Sequence, residues 1–227
     1  MRAVCLQHVP FEGPGAFAKA LASRGVSLDS YLVPKDGLPS DVGDLLIVMG
    51  GPMSVNDPDR WIVEETAFIR SVLQANKPVI GVCLGSQFMA KALGVTVRSG
   101  KALEIGMTQI RLTDSGKKDP VFGDCPETFD VFEWHGEIFD LPNECTPLAG
   151  SGIAPLQAFR YGERAYGLLF HLEMEEGGID SLCRECASDV TKAGLTPQQV
   201  KTTALPQLPE LHRVADRLIG HLLARTR

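Results

Sequence analysis

No run of five or more basic residues occurs in the chain, and its 22 Lys and Arg are outnumbered by 28 Asp and Glu, for a formal net charge of −6. Affinity for a phosphate backbone rests on clustered cations, so the charge pattern argues against a nucleic-acid partner. Long apolar runs are missing too. The longest, Leu45 to Met49, falls far short of the ~20 residues a membrane helix needs, and no membrane partner is expected. Met1 to Gln7 holds one Arg and five apolar residues, too short a core for a signal peptide, so a cytoplasmic location is expected. There is no internal repeat, no low-complexity tract and neither of the glycine-rich nucleotide fingerprints. No cofactor is implied.

The 227 residues, 44% hydrophobic and 22% charged, have the composition of an ordinary soluble protein. They are enough for one domain with a full core, expected to span 1–227. Six cysteines are present: Cys5, Cys83, Cys125, Cys145, Cys183 and Cys186. In a reducing compartment they stay as thiols, which leaves them as core fillers, metal ligands or nucleophiles.

Strand and helix patterns alternate along the first half. Ala3 to Leu6 reads as a short strand, and Phe17 and Leu21 share one helix face. Ser27 to Val33 reads as a second strand. Asp44 to Met49, closed by Gly50-Gly51-Pro52, has the continuous apolar character of a strand buried on both faces of a parallel sheet. A helix follows over about Trp61 to Gln74. Pro78 to Val82 is another buried strand, running directly into a helix that carries Phe88, Met89, Ala92 and Leu93 inward and ends at Gly94. Beyond Val95 the texture becomes short strands between Gly and Pro turns: Met107 to Leu112, Thr128 to Phe132, Leu156 to Phe159 and Tyr166 to Phe170. Two helices close the chain, about Glu175 to Ala193 and Pro209 to Arg225, joined by a connector. These elements predict a single doubly wound α/β fold. Its sheet is mostly parallel and flavodoxin-like, with an antiparallel extension and a helical C-terminal extension from about 175.

The strongest chemical signal is Gly81-Val82-Cys83-Leu84-Gly85-Ser86-Gln87, set between buried strand and helix. A side chain there sits on a sharp turn at the carboxyl end of the sheet, and the flanking glycines leave room for it. The helix behind it offers its positive end and free N–H groups, which favour a thiolate and hold an oxyanion. The bland alternative is a structural cysteine at an ordinary turn. A second signal, Phe170-His171-Leu172-Glu173, ends an apolar strand. Residues two apart share a face of extended chain, so His171 and Glu173 point together, and a carboxylate fixes the tautomer of an imidazole. Alone, it would read as a surface histidine beside a glutamate. Gly50-Gly51-Pro52 lets backbone approach a ligand, although turn chemistry alone explains it. All three fall at carboxyl ends of strands, where such folds place ligands.

Together with Trp134-His135-Gly136, these segments resemble a class I glutamine amidotransferase domain of the stand-alone branch, similar to the amidotransferase half of GMP synthetase. The resemblance spans about Met1 to Glu173. It implies a nucleophile at Cys83, a base at His171 oriented by Glu173, oxyanion N–H groups from Gly51 and Leu84, and a substrate pocket lined by Gln87, Trp134, His135 and Gly136. The implied reaction hydrolyses the γ-amide of glutamine through a thioester and releases ammonia, without metal. Leu172 stands where the family usually has proline, and Leu169 where it often has glutamine. With no nucleotide-binding loop present, any ammonia-accepting synthetase would be a separate subunit.

The same triad would serve a γ-glutamyl peptidase, in which only the leaving group differs. A Cys-based α/β-hydrolase fits less well, because its acid precedes the histidine by a long stretch. A non-enzymatic module would not need the full set of three. The remaining candidates read as structural. Cys183 and Cys186 form a lone C-x-x-C on one helix stripe with Leu182 and Val190, which is helix-core filling and no zinc site. Cys5 is core, while Cys125 and Cys145 lie in turn-rich stretches. His8 is expected in a solvated loop, His212 and His221 on an exposed helix face. Glu64-Glu65 and Glu175-Glu176 read as helix-start or solvated charge.

Overall fold

The computed structural model describes residues 1–225. Its first half repeats strand and helix: β1 (Arg2–Gln7), α1 (Gly15–Ala22), β2 (Ser27–Leu32), the single-turn α2 (Val33–Asp36), β3 (Leu45–Val48), α3 (Arg60–Gln74), β4 (Val79–Val82) and α4 (Leu84–Ala92). β3 and β4 are buried at every position, as unbroken apolar runs require. Strands β5 (Val97–Leu112), β6 (Thr128–Phe139), β7 (Cys145–Gly150), β8 (Ala158–Tyr161) and β9 (Ala165–Leu168) follow. All nine strands among the described residues join one sheet in the order β2-β1-β3-β4-β9-β8-β7-β5-β6.

From β2 to β9 the neighbours pair parallel, and from β9 to β6 they pair antiparallel. The expectation of a mostly parallel sheet is therefore corrected to a mixed one, divided evenly between the two kinds of pairing. Local sequence could not show this, because β9 lies far along the chain yet inserts beside β4, through Ile80 against Tyr166 and Val82 against Leu168. The sheet is lined on both faces. Ala3, Cys5, Leu45 and Ile47 face one apolar layer with α1, while Val4, Leu6, Leu46 and Val48 face the other with α3 and α4. That alternation is the two-residue period of a strand.

The C-terminal region departs most from expectation. The helix expected over Glu175 to Ala193 is two, α5 (Glu176–Glu185) and α6 (Ala187–Lys192), broken at Cys186, whose φ of −111° and ψ of 37° leave the helical basin. Nothing in the local residue types explains the break. The expected connector contains α7 (Pro197–Ala204), started by a capping box: Thr196 Oγ1 accepts from Gln199 N–H at 3.2 Å and Gln199 Oε1 from Thr196 N–H at 2.8 Å. This is the T-x-x-Q signature with Pro at the first helical position. The last helix, α8 (Leu208–Leu223), buries Leu211, Val214, Leu218 and Leu222. Each side chain contributes roughly 1.5–3 kcal/mol of burial. Cys145, expected in a turn, begins β7, and all six cysteines are free thiols. Among the described residues, no helix is long and apolar enough to cross a membrane.

Candidate active site

Cys83 stands between β4 and α4 with φ 49° and ψ −110°. Positive φ in a residue with a side chain costs ~1–3 kcal/mol and persists only where its surroundings enforce it. Here the enforcement is visible. Cys83 N–H donates to Leu168 O at 2.8 Å on β9, and Cys83 O accepts from Ser86 N–H, Gln87 N–H and Ser86 Oγ–H at 3.0, 3.1 and 2.7 Å. The flanking glycines are close approaches: a Cβ on Gly85 would lie 2.1 Å from Val48 O, and one on Gly81 2.6 Å from Met89 Sδ. The sulfur donates weakly to Trp134 O at 3.4 Å.

His171 and Glu173 come from the segment just past β9. An isolated bridge to β6 holds this segment, with His171 N–H donating to Phe132 O at 2.8 Å. Nδ1 of His171 donates to Glu173 Oε1 at 2.7 Å, and both side chains are buried. Ala16 N–H, at the start of α1, donates to Glu173 O at 2.9 Å and fixes the carboxylate's backbone. Burial alone would favour the neutral imidazole. The Glu173 carboxylate and the Cys83 thiol outweigh it, holding the His171 pKa well above its ordinary value. Nε2 makes no well-aligned hydrogen bond, so its looser interaction with Cys83 leaves it free to exchange a proton.

A cavity of about 170 Å³ opens over the sulfur. That is below the ~300–1,000 Å³ of drug-sized sites and suits a single amino acid. Gly51, Cys83, Gln87, Trp134, His135 and Gly136 line it, so the structure brings these sequence-selected residues together. Leu84 opens α4, where the first N–H groups have no intrahelical acceptor. Gln87 Nε2 reaches Glu137 O at 3.5 Å.

The sequence reading overlooked several wall residues. Glu137 lines the cavity and accepts from Ser54 Oγ at 3.0 Å. Its position directly after Gly136 was the available signal. Glu12, from the loop after β1, also lines the cavity, and burial pushes its carboxyl pKa up despite the nearby His171. Cys186 borders the cavity as well and does not fill a helix stripe, whereas Cys183 is buried as expected.

His8 is corrected most sharply. It is buried, with Nδ1 donating to Gly50 O at 2.9 Å and Nε2 to Glu65 Oε1 at 3.0 Å. Trp61 and Phe88 lie against its ring, with centroids 5.7 and 5.5 Å away. Both partners accept only, so the ring carries two protons. Burial opposes that charge, but Glu65 outweighs it and raises the pKa. Glu65, expected in solvent, is fully buried because it anchors this ring from α3. The pair fixes the Gly50 carbonyl and hence the Gly50-Gly51 turn. His212 and His221 are half-buried, not exposed: His212 Nε2 donates to Met174 O at 2.8 Å, and His221 lies edge-on to Tyr166.

One further buried group borders the site. Glu104 and Glu133 bring carboxylate oxygens to 3.3 and 3.2 Å from His135 Nε2. Among the described residues, this is the set of donor atoms close enough to hold a metal ion.

Comparison with known proteins agrees with this arrangement. The family model for glutamine amidotransferase class-I matches residues 15–183. The glutamine amidotransferase-like protein YfeJ of Salmonella typhimurium is 31% identical over 205 residues, covering 85% of this chain and 84% of that protein. A glutamine-hydrolyzing GMP synthase of Neisseria meningitidis is 32% identical over 149 residues, covering 65% of this chain and 27% of the synthase. A glutamine amidotransferase crystal structure from Thermotoga maritima superimposes with a TM-score of 0.90 at 28% identity, covering 98% of both chains. With its elbow, its mixed sheet and a family match over most of its length, the chain belongs to the class I glutamine amidotransferases.

Proposed function

We propose that the protein hydrolyses the γ-amide of glutamine, with Cys83 as nucleophile, His171 as acid and base, and Glu173 as the carboxylate that orients it. The observation that carries this reading is the buried His171–Glu173 pair at 2.7 Å beside the strained Cys83 at the head of α4. With Nδ1–H directed at Glu173, Nε2 takes the thiol proton as sulfur attacks the γ-carbonyl carbon. The oxyanion rests on the N–H groups of Gly51 and Leu84. His171 then returns the proton to the leaving nitrogen, ammonia departs, and a γ-glutamyl thioester remains. Water, deprotonated by Nε2, attacks the thioester, releasing glutamate and restoring the thiol.

Gln87 and the Trp134 to Gly136 segment would position the substrate, and Glu137 offers a carboxylate for its α-amino group. The expected domain spans 1–227, whose last two positions lie outside the described residues. A free thiol nucleophile suits a reducing compartment such as the cytoplasm. The match to only 27% of the Neisseria synthase supports an acceptor-activating enzyme carried elsewhere, such as a separate synthetase subunit.

The test is steady-state hydrolysis of glutamine and of γ-glutamyl peptides by the wild type and Cys83→Ala. The expected result is glutaminase activity lowered by about 10⁴-fold or more in the variant, with its circular dichroism unchanged. Robust peptide cleavage with negligible glutaminase would move the assignment to γ-glutamyl peptides. An active Cys83→Ala would end it.

A further inference from the structure

Glu104, Glu133 and His135 have no task in the proton transfers above beyond His135 lining the cavity, yet all three are buried. Their convergence follows from strand geometry. Glu104 on β5 is the cross-strand partner of His135 on β6, and Glu133 lies two residues before His135, on the same face. An irregularity in the β5–β6 register sits between Ser99 and Glu104, immediately before the cluster.

Charge and hydrogen bonding are both unbalanced there. Two carboxylates and one imidazole sum to −1 even with the ring protonated. Among the described residues, neither carboxylate has a Lys or Arg ion-pair partner. Neither Glu133 oxygen and neither His135 nitrogen makes a well-aligned hydrogen bond. Only Glu104 is supported from outside, by Ser151 Oγ and Gln157 Nε2 at 3.3 Å each. Buried carboxylates left in this state cost several kcal/mol per ion unless compensated.

We propose that these three side chains form a divalent-cation site of the zinc or manganese class, with His135 Nε2 and one oxygen each from Glu104 and Glu133 as ligands. All the donor atoms lie within 4.8 Å of one another. The Nε2-to-oxygen separations of 3.2 and 3.3 Å match the edge of a tetrahedron with ligands at ~2.0–2.1 Å, which is about 3.3 Å. A dipositive ion with a neutral imidazole brings the cluster to zero net charge and occupies the unpaired donors. His135 borders the cavity, which gives the ion an entry path and room for a water as fourth ligand. The site staples β5 to β6 and sets the Trp134 to Gly136 segment, whose Trp134 carbonyl meets the Cys83 sulfur. Its role is to position that wall; it takes no part in the chemical step.

The test uses untagged full-length protein, with metal content measured by elemental analysis after gel filtration and Zn²⁺ titration of chelator-stripped protein. Both are repeated in Cys83→Ala so that binding by the thiol is separated out. The expected result is one equivalent per chain in both proteins, a melting temperature lowered by chelator and restored by Zn²⁺, and affinity reduced at least ~10-fold in E104Q and in E133Q. Substoichiometric wild-type binding, loss of the metal in Cys83→Ala, or wild-type affinity in folded E104Q and E133Q would each overturn the proposal. If a variant fails to fold, the wild-type stoichiometry and the chelator-dependent melting decide alone. Glutaminase activity does not enter, so the outcome is independent of the function proposed above.

Discussion

Cys83 is held at φ 49° by hydrogen bonds from both sides of its peptide, and this backbone cost is carried by a side chain poised over a cavity. Glycine adopts such a conformation freely, whereas alanine retains the Cβ clash. Cys83→Gly should therefore be more stable than Cys83→Ala by about 1 kcal/mol, reversing the usual order of these two residues, and should melt roughly 2–4 °C higher. Differential scanning calorimetry of the two inactive variants measures it. Equal melting temperatures would mean that the turn stores no strain. Cys83, His171 and Glu173 could be chosen from type and spacing alone, because each lies in a short segment whose local geometry is implied by its neighbours. His8 and Glu65 could not be. Their burial depends on a contact across 57 positions, and either residue taken alone looks solvated.

At the scale of elements, the β4–turn–α4 unit was legible because strand, glycines and helix are contiguous in sequence. Its tightness belongs to the packed structure: the space where a Gly85 Cβ would sit is taken by the Val48 carbonyl of β3. Gly85→Ala should destabilise the fold by at least about 1–3 kcal/mol and displace the first turn of α4. Urea denaturation together with thiol-labelling kinetics would register both effects. Unchanged stability and labelling would show that β3 and α4 approach less closely than described. Helix α7 was legible but overlooked, since its capping box and Pro197 are written in order. The break at Cys186 was not, because an unbroken stripe of Leu182, Cys183, Cys186 and Val190 satisfies helical periodicity equally well.

Across the whole molecule, several buried groups bind protons more tightly when folded. His8 and His171 are raised by carboxylate partners that overcome burial, and burial pushes the Cys5 thiol up to about 12. A raised histidine contributes stability that is full below its unfolded pKa of about 6.5 and is lost as pH climbs through the folded value. Cys5 extends the loss above about pH 9. On the acid side, Asp41, Glu127 and Asp216 are lowered, by a backbone N–H, by Lys117 and by Arg24 respectively. Their contribution is lost as pH falls through the carboxylate range. Stability should therefore peak between roughly pH 5 and 6.5 and decline from about 6.5 to 9. Melting temperatures across that range check this. A midpoint rising toward pH 9 would contradict the protonated His8 and His171 read from their partners.

The sequence by itself determined the α/β alternation, the buried parallel strands, the elbow around Cys83 and the pairing of His171 with Glu173. Each of these is a short-range consequence of residue type and of the two- and 3.6-residue periods. The tertiary structure decided what depends on distant chain meeting. It set the even division of the sheet, with β9 beside β4. It buried His8 and Glu65 behind the Gly50 turn, added Glu12 and Glu137 to the cavity wall, and brought Glu104 to His135 across two strands. No periodicity encodes these contacts, because they follow from register and strand order, which the packing of the two apolar layers selects.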